Sequence, residues 1–189
     1  MLKSATLFSL TIFFLFFSGC ESKGSNTTHE NKTQPLSKNF SLHPVNNPKE
    51  TIEIVKTQNG FKLKNDPQKI LIFDIFATWC VPCRAEAAVL TNIQKKYKND
   101  VVVLGLPIEE EISDEKLATY QKKYNVGYII ASSKNTQKLI DAIAADLDIT
   151  QRFPIPLVAM YKNGKLVNYY AGAVEEEFIQ SDIKQVIGK

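Results

Sequence analysis

Cys80 and Cys83, two cysteines separated by Val81 and Pro82, are the side chains of this sequence best suited to chemistry. They stand in the run Asp74-Ile75-Phe76-Ala77-Thr78-Trp79-Cys80-Val81-Pro82-Cys83-Arg84, between an apolar stretch and a segment with helical spacing. Two thiols at this spacing, at the start of a helix, can close a small disulfide. The first then lies among unpaired backbone N–H groups at the positive end of the helix dipole, which favours its thiolate and lowers its pKa. The second, one turn inside, is more shielded. The chemistry that follows is thiol–disulfide exchange. A Cys80 thiolate attacks a disulfide, a mixed disulfide forms, and Cys83 attacks the Cys80 sulfur to release the reduced substrate; run backward, the same site oxidises dithiols. Pro82 fits the first helical turn, where its missing N–H costs little. Trp79 offers a surface on which a substrate peptide can bind.

Other uses of the pair fit less well. A structural metal site needs more ligands, yet no second C-x-x-C follows and the two histidines, His29 and His43, lie well upstream. Peroxidase chemistry lacks a further cysteine in the folded part to mark it. No cofactor is expected, because the dithiol itself carries the electrons.

The elements that must position these sulfurs follow from hydrophobic period and turn residues. Strands are expected over 51–56 and 61–64, then over 70–76, whose nearly continuous apolar run suits a strand covered on both faces. A helix over 82–97 follows, with Ala85, Ala88, Val89, Ile93 and Tyr97 at helical spacing. A strand over 101–106 stops at Pro107. Ser113 is placed to cap a helix reaching 124, with Asp114 and Glu115 in its first turn. A short strand over 127–131 precedes a helix capped by Asn135 and reaching 147. Strands over 157–161 and 166–171 are joined through Asn163-Gly164, a hairpin signal. A helix over 174–187 closes the chain. Strands alternating with helices imply an α/β fold, a central mixed sheet flanked by helices, with parallel βαβ units and antiparallel strands added by the closing hairpin.

The first fifty residues have a different character. Lys3 precedes an apolar run over 5–17, about a dozen residues, the length of a secretory h-region and short of the roughly 20 needed to span a bilayer. Phe17-Ser18-Gly19-Cys20 resembles a bacterial lipobox, with Phe17 where Leu is usual. That resemblance implies a signal peptide over 1–19 and a diacylglycerol thioether on Cys20, anchoring the protein to a lipid bilayer. A plain cleaved signal or an uncleaved anchor is the alternative. Lipidation would also explain why the third cysteine has no partner. Residues 20–50, rich in Ser, Asn, Thr, Lys and Pro, read as a flexible tether to a domain over 51–189. Asn26, Asn31 and Asn39 match the glycosylation acceptor pattern, by chance in so Asn- and Thr-rich a stretch. The chain's 189 residues, 44% of them hydrophobic, suffice for one real core. Its net charge of +3, without a dominant basic block, argues against nucleic acid as a partner.

The Trp79-Cys80-Val81-Pro82-Cys83 motif, in its place between strand and helix, resembles the thioredoxin fold, in particular the TlpA/ResA type that acts outside the cytoplasm. The resemblance covers residue 51 to the C-terminus, and against minimal thioredoxin it implies an N-terminal β extension and a central βα insertion over 107–135. It implies that Cys80 attacks and Cys83 resolves. Asp74 falls on the position of the family's buried acid, and Glu86 on the glutamate of Trp-Cys-x-Pro-Cys-x-x-Glu. Poorly hydrated carboxyls near a sulfur pair should have raised pKa values and pass protons. The alternatives are a water-exposed strand-end acid for Asp74 and an exposed helix acid for Glu86. Ile155-Pro156 resembles the family's cis-proline loop, which presents backbone groups to an incoming peptide strand; Phe153-Pro154 competes for that assignment. Leu157 departs from the Thr often found beside this proline, and Ala88 from a helix-kinking proline.

The resemblance further implies a reductase of extracytoplasmic protein disulfides, including the paired thiols of apocytochrome c, supplied with electrons by a membrane thiol–disulfide carrier. A general oxidase or isomerase is the second enzymatic reading, and a redox-sensing lipoprotein the non-enzymatic one.

Overall fold

A computed structural model of the chain describes residues 39–150 and 154–188. The expected signal peptide, lipidated Cys20 and Phe153 lie outside the described residues.

The fold is thioredoxin-like. Its central sheet has five strands in the order β6-β5-β4-β7-β8. β4 (Ile70–Phe76) is the middle strand, and all seven of its residues are buried. It runs parallel to β5 (Val101–Pro107) and antiparallel to β7 (Leu157–Lys162). β6 (Ile129–Ile130) adds parallel to β5, and β8 (Lys165–Ala171) adds antiparallel to β7 through the Asn163-Gly164 hairpin. Both turn residues have positive φ, 53° and 75°, as the tight hairpin requires.

Three helices cover one face. α1 (Val81–Lys96) leads directly from the cysteine turn, α2 (Asp114–Lys123) lies in the central insertion, and α4 (Glu176–Ile187) closes the chain. Ile70, Ile72 and Phe76 of β4 pack there against Leu90 and Ile93 of α1, Leu117 of α2, and Ile179 and Ile183 of α4. The other face carries α3 (Gln137–Asp146) and a separate antiparallel sheet of β1 (Asn39–Leu42), β2 (Ile52–Thr57) and β3 (Gly60–Leu63). Strand alternation decides the division: Leu71, Phe73 and Ile75 point to the second face, and their even-numbered neighbours to the first.

Three expectations need correction. The folded part does not start at residue 51. Asn39–Leu42 pairs with Ile52–Val55, Phe40 and Leu42 are buried, and the chain beyond is stitched to the strand-β6 region by Val45 N–H to Ile130 and Ser132 N–H to His43. A two-residue alternation in a polar stretch is too short to register as periodicity, yet a strand needs no more. Second, the buried stripe of α1 is Cys83, Glu86, Ala87, Leu90 and Ile93, and Ala85 and Ala88 face solvent. An acid within the stripe displaced the expected register. Third, α3 is capped at Thr136, because Ser133–Asn135 forms a 3-10 turn ahead of it.

Candidate active site

The register of the central sheet gathers the site. Phe76 ends β4 opposite Pro107 of β5, and Ile75 lies opposite Leu157 at the start of β7. The segments before α1, after β5 and before β7 therefore emerge at one end of the sheet. Cys80, Glu109 and Pro156 come from these three segments.

Cys80 is the N-cap of α1, with extended backbone, and its Sγ accepts the Cys83 N–H at 3.2 Å. A sulfur here takes the place of the oxygen that usually caps a helix. Cys80 and Cys83 form a disulfide, with an S–S distance of 2.04 Å. Cys83 is fully buried, whereas Cys80 keeps 4% exposure between Trp79 and Val81, which are 63% and 68% exposed. Only the first sulfur is within reach of a partner, and it is rimmed by apolar surface. Pro82 is exposed within the first turn.

Both sequence-selected carboxyls are buried. Asp74 is 1% exposed, on the sheet face that carries the cysteines, and its Oδ2 accepts the Tyr128 hydroxyl at 2.5 Å. Oδ1 has no partner. Burial pushes its pKa from 3.8 up to about 7; the Tyr128 hydrogen bond opposes the rise, and the nearby Glu86 charge adds to it. Glu86 is wholly buried, not an exposed helix acid. Its Oε2 accepts the Val174 N–H at 2.9 Å, ahead of α4, while Oε1 is unpartnered. Burial raises it from 4.5 to about 7 against that hydrogen bond. Two carboxyls that burial raises toward neutrality thus interact within the core of the face that carries the cysteines.

The Ile155–Pro156 peptide bond is cis. The Pro156 carbonyl accepts the Gly172 N–H at 2.8 Å, which ties this loop to the end of β8. Ile155 is half-buried and packs on the same core as the cysteines.

The sequence carries no local signal for Tyr128, Thr78 or Arg84, and its Glu109-Glu110-Glu111 run reads either as a solvated turn or as an acidic stretch near the site that repels acidic partners. Glu110 and Glu111 do face solvent, but Glu109 is half-buried. Its carboxylate accepts the Thr78 N–H at 2.6 Å and the Thr78 hydroxyl at 2.8 Å. Arg84 donates from Nη2 to the Thr78 carbonyl at 3.2 Å, and its guanidinium lies 5.1 Å from the Tyr124 ring centre. Thr78, two residues before Cys80, is thus held at its N–H, its hydroxyl and its carbonyl. A strand-end Pro107 followed closely by an acid was the available signal for this contact.

The fold and the site define the class: a thioredoxin-fold protein with a C-x-x-C disulfide at the head of its first long helix. Residues 51–129 match the family model described as Thioredoxin. The chain is similar to Thioredoxin-1 of Drosophila melanogaster, 28% identical over 64 residues that make up 32% of this chain and 60% of that protein. It is similar also to the thiol-disulfide oxidoreductase ResA of Bacillus anthracis, 24% identical over 127 residues, 66% of this chain and 68% of that one. A thiol:disulfide interchange protein from Chlorobium tepidum TLS has the same fold, with a TM-score of 0.62 at 19% identity over 80% of this chain and 95% of that chain. The chain spans about half the length of the first curated relatives it matches.

Proposed function

We propose that the chain is a thiol–disulfide oxidoreductase in which Cys80 attacks and Cys83 resolves. The observation that carries this reading is the asymmetry of one disulfide: Cys80 caps α1 at the surface and Cys83 lies beneath it with no exposure. In the reduced protein, the Cys80 thiolate sits where helix N–H groups favour negative charge. It attacks one sulfur of a substrate disulfide, and the other sulfur leaves with the bonding electrons. Cys83 then attacks Cys80 as its proton passes to a carboxyl, and the second substrate sulfur leaves. Asp74, on the cysteine side of the sheet and with a pKa of about 7, is suited to take that proton near neutral pH. Glu86 is a second acceptor behind the same disulfide. Trp79, Pro82 and the Ile155–Pro156 loop receive the substrate peptide.

The finer reading is a reductase that acts outside the cytoplasm, held to a bilayer through lipidated Cys20. Its substrates are protein disulfides such as that of apocytochrome c, and a membrane thiol–disulfide carrier returns its electrons. The Cys20 motif, the Trp79–Cys83 motif and the similarity to ResA support it.

A Cys83→Ser variant tests the core of the proposal. It should accumulate mixed disulfides with substrate proteins through Cys80, resolved on a non-reducing gel and named by mass spectrometry. Trapping by Cys80→Ser instead, through Cys83, would reverse the two roles.

A further inference from the structure

Tyr128 reaches the buried acid by a route that the backbone keeps open. Asp74 on β4 lies opposite Gly105 on β5, and Gly105 lies opposite Ile130 on β6. Tyr128, two residues before Ile130, must cross β5 to touch Asp74. A Cβ on Gly105 would stand 3.2 Å from the Tyr128 ring and 3.3 Å from both Ile130 and Phe76. The missing side chain leaves the ring its place. The backbone around Tyr128 is fixed from two helices: Gly127 N–H donates to Thr91 of α1 at 3.0 Å, and Gln121 of α2 donates to the Tyr128 carbonyl at 2.8 Å.

We propose that Tyr128 is the positioning residue of the buried acid: its hydroxyl, passing over Gly105, holds the Asp74 carboxyl so that the exchanged proton is carried on Oδ1. The proposal rests on the reading that Asp74 accepts the Cys83 proton. The Tyr128 hydroxyl donates to Oδ2, so Oδ1, which is buried and unpartnered, is the oxygen left to bind a proton. In the resolving step Cys83 gives its proton to Oδ1, and its electron pair forms the bond to the Cys80 sulfur. The bond from Cys80 to the substrate sulfur breaks, and its pair leaves on that sulfur.

The groups facing Asp74 are few. Glu86 approaches from α1, Tyr120 from α2 and Tyr128 from the strand-β6 side, while its neighbours across the sheet, Gly105 and Val158, carry no charge. Burial and the Asp74 charge keep both tyrosines neutral, with pKa values well above the ordinary phenol value. Tyr128 is therefore a donor at every working pH. A donor to the carboxylate form favours ionisation, so its removal must move Asp74 to higher pH.

The test follows the full chain, reduced beforehand, as it reduces oxidised glutathione across a range of pH. In Tyr128→Phe the acid limb should move up by about one pH unit, the scale of one hydrogen bond to a charged group, so the rate on that limb falls about tenfold and recovers in alkali. Gly105→Ala should move the limb the same way by less. In an Asp74→Asn background, Tyr128→Phe should move nothing. An unmoved limb in Tyr128→Phe, or an equal movement without Asp74, overturns the proposal. If Asp74→Asn alone leaves an active protein's profile unchanged, the proton-acceptor reading of Asp74 fails. The titration of the Asp74 carboxyl carbon by NMR then still decides whether Tyr128 sets its ionisation.

Discussion

On one face of the central sheet, Leu71, Phe73 and Ile75 of β4 meet Phe40, Leu42 and Phe61 of the N-terminal sheet and Leu139, Ile140 and Ile143 of α3. On the other, the same strand presents Ile70, Ile72, Asp74 and Phe76 to α1, α2 and α4, together with two cysteines, Glu86 and Tyr128. Both faces are closed to water, yet among the described residues only the second has cysteines and fully buried carboxyls within its packing. The first face is a core of apolar contact, with Phe61 in edge-on contact with Phe73 at 5.7 Å and Tyr161 at 5.2 Å. Its polar edge includes the Lys56–Asp146 ion pair, with the Tyr161 hydroxyl donating to the same carboxylate. The second holds two carboxyls, each with one oxygen unpartnered, an arrangement that costs stability. The lesson is a division of labour within one sheet. One face secures β4, and the other uses the secured strand to keep acids in a place they would not choose.

The comparison breaks first at Phe61. Truncation by Phe61→Ala removes a fully buried ring from the apolar face and should lower stability by about 3–5 kcal/mol. Denaturant unfolding measures the loss. The alkylation rate of Cys80 in the remaining folded protein should not change, because the deleted ring lies across the sheet from the sulfurs. Coupled changes in both would show that the faces are not separate.

Asp74→Asn sharpens the same contrast from the other side. The acid's pKa is about 7 when folded, against an ordinary 3.8. Its favourable contribution, as the neutral acid, is fully present below the unfolded value and is lost as pH rises through about 7. Stability of the native chain should therefore fall between mildly acidic and neutral pH. The variant should be the more stable above neutrality, by up to about 4 kcal/mol, with slower disulfide exchange. Urea midpoints on either side of neutrality check it. Equal midpoints for the two proteins in alkali would mean that Asp74 is not held against its ionisation.

The two faces also differ in how far they could be read from the sequence. The apolar run over β4, the cysteine pair and its helix, and the closing hairpin each carry their signal within a few consecutive residues. So does Asp74, whose apolar neighbours announce an acid with nowhere to go. β1 did not stand out, because the partners that give Phe40 and Leu42 their burial lie in β2 and across the domain. Glu86 could be read both as a functional acid, by resemblance, and as an exposed helix acid, because only α4 and the sheet together close over it. Tyr128 and Glu109 act on residues far away in the chain, Asp74 and Thr78, and become legible only once strand register brings the insertion beside the site.

The most direct measurement of the central claim is the pH dependence of alkylation at each cysteine in the reduced chain, followed by mass spectrometry. Cys80 should react first, with a midpoint below the ordinary thiol value of about 8.5, and Cys83 should stay protected until the protein unfolds. Reaction at Cys83 first, or a Cys80 midpoint at or above that of a free thiol, would contradict the account.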